Sequence, residues 1–296
     1  MKVMTTGANG QLGRAVHELL AEEKDVTLVS TANTASVKEA PFIVKPLDIT
    51  DEQAVLSFVE QEKPDVIINC AAYTKVDLCE TNEEQAAKIN GAGPGYLAKA
   101  AKAVDAKLIH VSTDYVFDGK ARKPYVETDP TNPVSAYGRT KLAGEKAVME
   151  NYDKVFIVRT AWLYGDGKNF VKTMLALSDT HKELRVVNDQ YGTPTSAWEL
   201  AKMLWYLAGT KRYGIYHGTC EGSTSWYEFA KEIFRVFGKQ VIVHPVTSEE
   251  YNAKAARPGY SVLENQKLNT ETEYRMKDWK EAFSDYAKWL KERGGC

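Results

Sequence analysis

A tyrosine and a lysine four residues apart, Tyr137 and Lys141 in the segment YGRTK, form the pair with the clearest chemical potential. Side chains four positions apart share one face of a helix, so the lysine ammonium can lie near the tyrosine phenol. A phenol with a pKa of about 10 is a poor proton donor near neutral pH until a nearby cation stabilises the phenolate. The pair therefore indicates acid–base chemistry, although the same spacing also occurs on ordinary amphipathic helices.

Three glycines, Gly7, Gly10 and Gly13, follow the first predicted strand in the segment TTGANGQLG. Glycine is needed where the backbone turns tightly and approaches a pyrophosphate, and the N-terminus of the following helix attracts negative charge. Because these glycines open a strand–turn–helix unit, they predict nucleotide binding and not merely a structural turn.

The end of the second predicted strand bears on the choice of nucleotide. An acidic residue roughly 20 positions after the glycines usually binds the adenosine ribose, but Ser30–Asn33 contains neither an acid nor an arginine. This neutral segment leaves NAD and NADP both open, with Lys38 in the next loop as a candidate 2′-phosphate contact. Asp48 is a candidate adenine contact; its alternative role is an acid at the start of the helix predicted at 51–61.

Short β-branched runs alternate with segments of helical period through the first half of the chain, which predicts βαβ units and a parallel sheet. We expect an α/β fold: a doubly wound, Rossmann-type sheet in residues 1–160 that binds NAD(P), and a smaller mixed α/β substrate domain in residues 161–296, some segments of which return to the first domain. The predicted strands are Lys2–Thr6, Val26–Ser30, Asp65–Asn69, Lys107–Val111 and Val155–Arg159, with short ones near Arg185–Val187 and Val241–Val243. The predicted helices are Gln11–Glu22, Asp51–Gln61, Gly93–Val104, Ala136–Asn151, Asn169–Leu177, Ala197–Leu207, Trp226–Phe237 and Lys277–Lys291.

The composition excludes several classes of protein. The 296 residues carry 38 Lys and Arg against 40 Asp and Glu, a formal charge of −2, so no basic field for nucleic acid is present. No apolar run is long enough to span a membrane, and we expect a cytoplasmic location. The four cysteines have no metal-site spacing, so we expect free thiols and no metal.

Seven motifs in order give the chain a family resemblance: TGANGQLG, NCAAYTKVD, STDYVFDG, YGRTK, RTAWLYG, NDQYGTPT and RPGYSVLEN. Together they resemble the dTDP-4-dehydrorhamnose reductases, a family of extended short-chain dehydrogenases/reductases, from residue 5 to about residue 265. The resemblance implies reduction of the C4 ketone of a dTDP-4-dehydro-6-deoxy-L-hexulose to dTDP-L-rhamnose. NADPH is the implied cofactor, with NADH also accepted, and a homodimer stays open.

The resemblance also implies roles for individual residues. Thr113 hydrogen-bonds the sugar carbonyl, Tyr137 donates the proton, and Lys141 holds the nicotinamide ribose and lowers the pKa of Tyr137. The implied cofactor residues are Gly7, Gly10, Gln11, Leu12, Gly13, Asp48, Ile49, Ala72, Tyr73, Thr74, Tyr137 and Lys141. The expected substrate residues are Thr113, Asp114, Tyr137, Trp162 and Arg257, of which Arg257 can pair with a diphosphate or be an ordinary surface arginine.

Two other functions remain as alternatives at this point. A sugar-nucleotide epimerase or dehydratase of the same superfamily retains its NAD through a full cycle. A non-catalytic regulatory subunit, like the one that accompanies methionine adenosyltransferase, is built on the same fold. The presence of Tyr137 and Lys141 argues against the regulatory subunit. The base of the nucleotide and the stereochemistry of the sugar stay open, since both depend on the shape of the pocket.

Overall fold

The computed structural model describes residues 1–33, 41–252 and 255–294. The strands are β1 (Lys2–Thr6), β2 (Thr27–Ala32), β3 (Lys45–Pro46), β4 (Val66–Asn69), β5 (Lys107–Thr113), β6 (Val155–Thr160), β7 (Leu163–Tyr164), β8 (Glu183–Val187), β9 (Tyr191–Gly192), β10 (Thr195–Ser196), β11 (Gly214–His217), β12 (Thr224–Ser225) and β13 (Ile242–Val246). The helices are α1 (Gln11–Ala21), α2 (Glu52–Glu62), α3 (Val76–Cys79), α4 (Glu83–Ala86), α5 (Gly93–Ala103), α6 (Ala136–Asn151), α7 (Phe170–Ser178), α8 (Ala197–Ala208), α9 (Trp226–Phe237), α10 (Ser248–Tyr251), α11 (Gln266–Glu271) and α12 (Trp279–Glu292).

A parallel sheet of seven strands forms the centre of the described chain, in the order β11-β6-β5-β4-β1-β2-β3. The chain reverses its direction of travel across the sheet between β1 and β4, and the crevice at such a point is where ligands of doubly wound sheets bind. This topology confirms the predicted α/β fold with a Rossmann-type sheet.

Helices cover both faces of the sheet because alternate residues of each strand point in opposite directions. Val3 and Ile68 belong to a core that includes residues of α1 and α8. Their neighbours Met4 and Ile67 belong to a second core, which includes residues of α2 and α5. The apolar strands of the sequence are therefore buried on both sides.

A third hydrophobic core is formed by residues 164–290, with its main contributions from α7, α9 and α12. Aromatic rings such as Phe229 and Phe283 meet edge to face there. Strand β11 and helix α8 come from the same half of the chain, yet they belong to the large sheet and its first core. The division of the chain at residue 160 stays a prediction.

Most predicted elements differ from the observed ones by one or two residues at an end, and β1, α6 and α9 have the predicted bounds. Sequence reasoning missed β11, because the segment GIYH is only four residues long. It also missed a π-helical segment at Ala87–Ala92, which continues α4 into α5. No helix in the described ranges is long and apolar enough to cross a membrane.

Candidate active site

The glycine loop lies at the crevice between β1 and β4 and forms a cradle for a pyrophosphate. Gly7 has a φ of +61°, and a Cβ there would stand 2.7 Å from the backbone of Ala71. A Cβ on Gly13 would stand 2.3 Å from the Gly7 carbonyl oxygen. Gly10 precedes α1 without a side-chain cap, so the main-chain N–H groups of the first turn stay directed outward. These features fit a dinucleotide.

A cavity of about 300 Å³ opens beside this loop. Six of the predicted cofactor residues line it: Gly7, Gly10, Asp48, Ile49, Ala72 and Tyr73. The side chains of Gln11 and Leu12 are directed elsewhere. Gln11 Oε1 accepts from the Gly165 N–H (2.9 Å), and Leu12 is buried in the first core. Thr74 is exposed and is absent from the described cavity lining.

The hydroxyl groups at the end of β2 are bound within the protein. Ser30 Oγ lies 3.0 Å from His17 Nδ1, and the Thr31 hydroxyl, fully buried, donates to the Thr5 carbonyl (3.1 Å). The residues that line the cavity are Ala32 and Asn33 instead, because the strand continues two residues beyond its predicted end. Lys38 lies outside the described residues.

Asp48 and Asp51 have separate roles at the start of α2. The Asp51 side chain caps the helix by accepting from the Ala54 N–H (3.0 Å). Asp48 accepts from the N–H and the hydroxyl of Thr50 and stays exposed at the cavity. The capping position therefore belongs to Asp51, and Asp48 as an adenine contact stays a prediction.

Helix α6 brings Tyr137 to the ends of the strands. Ser135 caps the helix by accepting from the Gly138 N–H (3.1 Å). A Cβ on Gly138 would stand 2.2 Å from the Tyr115 carbonyl oxygen, so only glycine allows this approach. The Tyr115 and Tyr137 rings then meet edge to face, 5.4 Å apart. The motif YG thus sets where the phenol lies.

Lys141 is almost completely buried, at 1% exposure, and its Nζ donates to the Val111 carbonyl of β5 (2.7 Å). Burial lowers the pKa of Lys141 to about 8, and the negative charge of Glu145 opposes that effect. Burial also raises the pKa of Tyr137, an effect opposed by a hydrogen bond with the Thr113 side chain. Lys141 is not among the groups of this chain that mainly influence the Tyr137 pKa. The lowering of that pKa by Lys141 therefore stays a prediction.

Thr113 is the last residue of β5, and Asp114 directly follows it. The Thr113 hydroxyl donates to Asp114 Oδ1 (2.9 Å), and both side chains are buried. Asp114 Oδ2 is buried without a hydrogen-bond partner among the described residues; the neighbouring Ser261 hydroxyl is directed at the Tyr191 carbonyl (3.4 Å). Burial raises the pKa of Asp114 to about 6, opposed by Ser261 and Thr113. The carboxyl group therefore titrates near neutral pH.

A second cavity, of about 240 Å³, is lined in part by Tyr115. Arg257 lines it, and its guanidinium pairs with Asp77 (2.9 Å), which also accepts from the Ala255 N–H (3.0 Å). The remaining lining is Phe170, Met174, Arg185, Val186, Val187, Gln190, Trp226 and Tyr251. An aromatic and aliphatic cavity with two arginines fits a base and a diphosphate.

Trp162 stands one ring away from this cavity. Its φ is +46°, an unusual value for a residue with a large side chain. The indole stacks on Trp226, with ring centres 3.5 Å apart and planes 7° apart. Of these two tryptophans, Trp226 is among the described residues that line the cavity, and Trp162 is not. Trp162 as a direct substrate contact stays a prediction.

Asn90 is a site residue that sequence reasoning missed. It is fully buried in the π-helical segment, accepts from the Tyr73 N–H (2.8 Å) and donates to the Tyr73 carbonyl (3.1 Å) and the Thr140 hydroxyl (3.2 Å). It thereby ties the cofactor loop to α6. π-helical turns frequently mark functional sites, but their sequence signal is weak.

Two features lie away from this site. An open depression of about 800 Å³ between α9 and the start of α12 contains none of the predicted site residues. In the part of the chain that the structure describes, no three His, Cys, Asp or Glu side chains are grouped as metal ligands. Cys70, which lines the cofactor cavity, and the buried Cys79 and Cys220 are free thiols; Cys296 lies outside the described residues.

Comparison with known proteins identifies the family. The family model for the RmlD substrate binding domain matches residues 1–291. The spore coat polysaccharide biosynthesis protein SpsK of Bacillus subtilis is 39% identical over 296 residues, covering 100% of this chain and 99% of that protein. A crystal structure of a dTDP-4-dehydrorhamnose reductase from Clostridium acetobutylicum has a TM-score of 0.92 and 49% identity, covering 98% of this chain and 100% of that one.

A second solved structure contains a cofactor. The dTDP-4-dehydrorhamnose reductase of Bacillus anthracis, in complex with NADP, has a TM-score of 0.89 and 42% identity, covering 96% of this chain and 98% of that one. These proteins match nearly the whole chain. The chain therefore belongs to the RmlD family of dTDP-4-dehydrorhamnose reductases, within the extended short-chain dehydrogenases/reductases.

Proposed function

We propose that this protein catalyses the NADPH-dependent reduction of dTDP-4-dehydro-6-deoxy-L-hexulose to dTDP-L-rhamnose, with NADH as a second accepted cofactor. The observation that carries the proposal is the position of Tyr137, which meets Tyr115 of the second cavity edge to face and packs in one cluster with Tyr73 of the cofactor cavity. Family membership supports the same reaction.

The cofactor is proposed to lie along the cavity from Asp48 and Ile49, past the glycine loop, to Ala72 and Tyr73. The main-chain N–H groups at the start of α1, including those of Gln11 and Leu12, are directed at the pyrophosphate. When bound, NADPH supplies the hydride that reduces the sugar C4 carbonyl. Lys141, whose charge acts on the cavity-lining Cys70, is proposed to hold the nicotinamide ribose.

The chain's own side chains are proposed to supply the proton and the orientation. Tyr137 holds the transferable proton at its Oη, and its raised pKa keeps the phenol protonated before reaction. The Thr113 hydroxyl orients the carbonyl oxygen and stabilises the charge that develops on it. In this structure Asp114 accepts the one proton of that hydroxyl, so the hydroxyl has to turn from Asp114 to the carbonyl oxygen when the substrate binds. Arg257, held by Asp77, is placed to bind the diphosphate.

One assay tests the proposal: oxidation of NADPH by the purified chain with the 4-keto-6-deoxy-L-hexulose nucleotide, followed by identification of the product. We expect stoichiometric formation of the 6-deoxy sugar nucleotide reduced at C4. An epimerase or dehydratase would instead carry tightly bound NAD and convert substrate without net oxidation of NADPH. A protein that binds NADPH without any turnover would favour the regulatory subunit.

The cytoplasmic location and the homodimer remain proposals of the same kind. Reduced cysteines and a diffusible nicotinamide cofactor agree with a cytoplasmic enzyme. Light scattering at micromolar concentration measures the oligomeric state, and cell fractionation measures the location. A periplasmic fraction or a monomer would contradict the respective proposal.

A further inference from the structure

A buried ion pair lies one helical turn beyond Lys141. Glu145 is on the same face of α6 and is fully buried, and Arg159 of β6 is 3% exposed. Two hydrogen bonds join them, from Arg159 Nε to Oε1 (2.9 Å) and from Nη2 to Oε2 (2.7 Å). The Ser112 hydroxyl of β5 also donates to Glu145 Oε1 (2.5 Å). The carboxylate is thus held by three donors.

Ser112, Glu145 and Arg159 belong to three elements, β5, α6 and β6, of which β5 carries Thr113 and α6 carries Tyr137 and Lys141. Ser112 and Arg159 are opposite each other in the β5–β6 register, directly before the pair Thr113 and Thr160. Glu145 therefore ties α6, which carries Tyr137 and Lys141, to the strand position next to Thr113. A displacement of this carboxylate would therefore change the position of Tyr137 and Lys141 relative to Thr113.

Stability alone is a weak reason for such an arrangement. Desolvating two charges offsets much of their attraction, so well-packed apolar residues often replace a buried ion pair without loss. Arg159 also lies over the Phe117 ring, 5.2 Å from its centre, while its Nη1 is buried without a hydrogen-bond partner in the described chain. Glu145 and Arg159 thus place two charges at a buried position that apolar side chains could also fill.

Glu145 follows Lys141 by four residues on the same face of α6, and both side chains are buried, so the carboxylate is a negative charge one helical turn from the ammonium. The other titratable groups that interact with Lys141 are Cys70 at the end of β4 and His110 in β5. Burial raises the pKa of the Cys70 thiol to about 12 and lowers that of His110 well below its usual value, so both are neutral near pH 7. Glu145 therefore opposes the tendency of burial to remove the Lys141 proton.

We propose that Glu145, fixed by Arg159 and Ser112, is a positioning residue that holds the Lys141 ammonium in its charged form at the catalytic centre. The proposal rests on the proposed function, because it assigns Lys141 a role in the same reaction. The hydrogen-bonded group of Ser112, Glu145 and Arg159 then contributes to catalysis as well as to the packing of the core. Its main consequence is a pH limit set by a residue that touches neither cofactor nor substrate.

The direct test follows the Lys141 Nζ signal by NMR of the full chain labelled with ¹⁵N-lysine, assigned through Lys141→Arg. In Glu145→Gln we expect Lys141 to titrate at least about one pH unit lower than in the wild type. Glu145→Asp keeps the charge and should restore most of that shift. An unchanged titration in folded Glu145→Gln would overturn the proposal. This measurement needs no turnover, so it is independent of whether the proposed reaction is correct.

Kinetics give the second readout. The alkaline limb of the kcat profile should move to lower pH in Glu145→Gln, with the KM for the sugar nucleotide unchanged. A role limited to folding would lower the melting temperature and leave the alkaline limb in place. Absence of turnover by the wild type would count against the proposed function and leave the NMR result to decide on Glu145.

Two further variants complete the design. Glu199→Gln removes a carboxylate that is also buried (5% exposed) but pairs with Lys202 on α8, and it should leave the Lys141 titration unchanged. If Glu145→Gln does not fold, Ser112→Ala removes one donor and keeps both charges. We then expect Lys141 to titrate at lower pH in Ser112→Ala than in the wild type, because one donor fewer fixes the carboxylate, with the KM unchanged. A wild-type Lys141 titration in folded Ser112→Ala would overturn the proposal.

Discussion

The Thr113 hydroxyl donates to the Asp114 carboxylate over 2.9 Å, inside the protein and one residue from the Tyr115 ring that meets Tyr137. One oxygen of that carboxylate is bound and the other is buried without a hydrogen-bond partner in the described chain. The orientation of the Thr113 hydroxyl, the protonation of Asp114 and the environment of the Tyr137 phenol are therefore linked, and each can be tested separately.

Tyr137→Phe should retain the fold and NADPH affinity but lose turnover by about 10²–10⁴, the usual contribution of a positioned general acid. The phenyl ring keeps the edge-to-face contact with Tyr115, so the packing survives. Steady-state kinetics and cofactor fluorescence measure the two effects. Near-normal turnover would remove Tyr137 as the proton donor.

Thr113→Val should lower kcat and also destabilise the fold by roughly 1–2 kcal/mol, because Asp114 loses a buried donor. The same hydroxyl accepts from the Tyr115 N–H (3.3 Å), so the turn after β5 loosens as well. Thr113→Ser keeps the hydroxyl and should recover much of both. Urea unfolding and kinetics on the three proteins provide the check; equal rates for Val and Thr would make Thr113 structural.

Asp114→Asn should change the pH dependence of stability. Since burial raises the pKa of Asp114 from 3.8 to about 6, the folded chain holds this proton more tightly than the unfolded chain. Its contribution is therefore present below about pH 4 and is lost as the pH rises to about 6, at a cost on the order of 2–3 kcal/mol. The Asn variant should be more stable than the wild type at pH 7 and not at pH 4.

Urea unfolding of both chains from pH 4 to pH 8 measures this difference. Asp118→Asn is the control of opposite sign, because hydrogen bonds from the Lys120 N–H and from other groups lower the pKa of Asp118. That variant should lose stability relative to the wild type at neutral pH and not at acidic pH. If the free energies of unfolding of Asp114→Asn and the wild type differed by the same amount at every pH, the raised pKa of Asp114 would be contradicted.

The cofactor preference should be modest. The cavity at the end of β2 presents Ala32 and Asn33 without a full charge, so NADPH should be preferred by less than about tenfold in kcat/KM, roughly 1.4 kcal/mol. Asn33→Asp should shift the preference to NADH by repelling the 2′-phosphate. Thr31→Asp, in contrast, places a charge at a buried position and should destabilise the chain. A hundredfold preference in the wild type would contradict this interpretation.

Arg257→Met should raise the KM for the sugar nucleotide by about 10–100-fold while NADPH affinity stays unchanged, because a hydrogen bond to a charged group contributes about 1.5–3 kcal/mol. Arg235→Met is the matched control: Arg235 pairs with Glu232 at the depression near α12, away from both cavities. Calorimetry with dTDP measures the same contact without turnover. Equal dTDP affinity in Arg257→Met and the wild type would exclude the diphosphate contact.

The sequence by itself determined the local features of this protein. The glycine spacing after β1, the four-residue spacing of Tyr137 and Lys141 and the apolar strand runs depend on contacts within a few residues. Periodicity of the helix and the strand encodes such contacts directly. The α/β fold and the dinucleotide cradle followed from them.

The tertiary structure alone decided which distant residues meet. Arg257 pairs with Asp77 although 180 residues separate them. Trp162, which lies between β6 and β7, stacks on Trp226 at the start of α9. Thr31 is buried because β2 continues to Ala32, beyond the end that its apolar run predicts. The link from Ser112 through Glu145 to Arg159 depends on strand register and on helix packing. Register and packing arise from the summed fit of the whole core, which no local pattern contains.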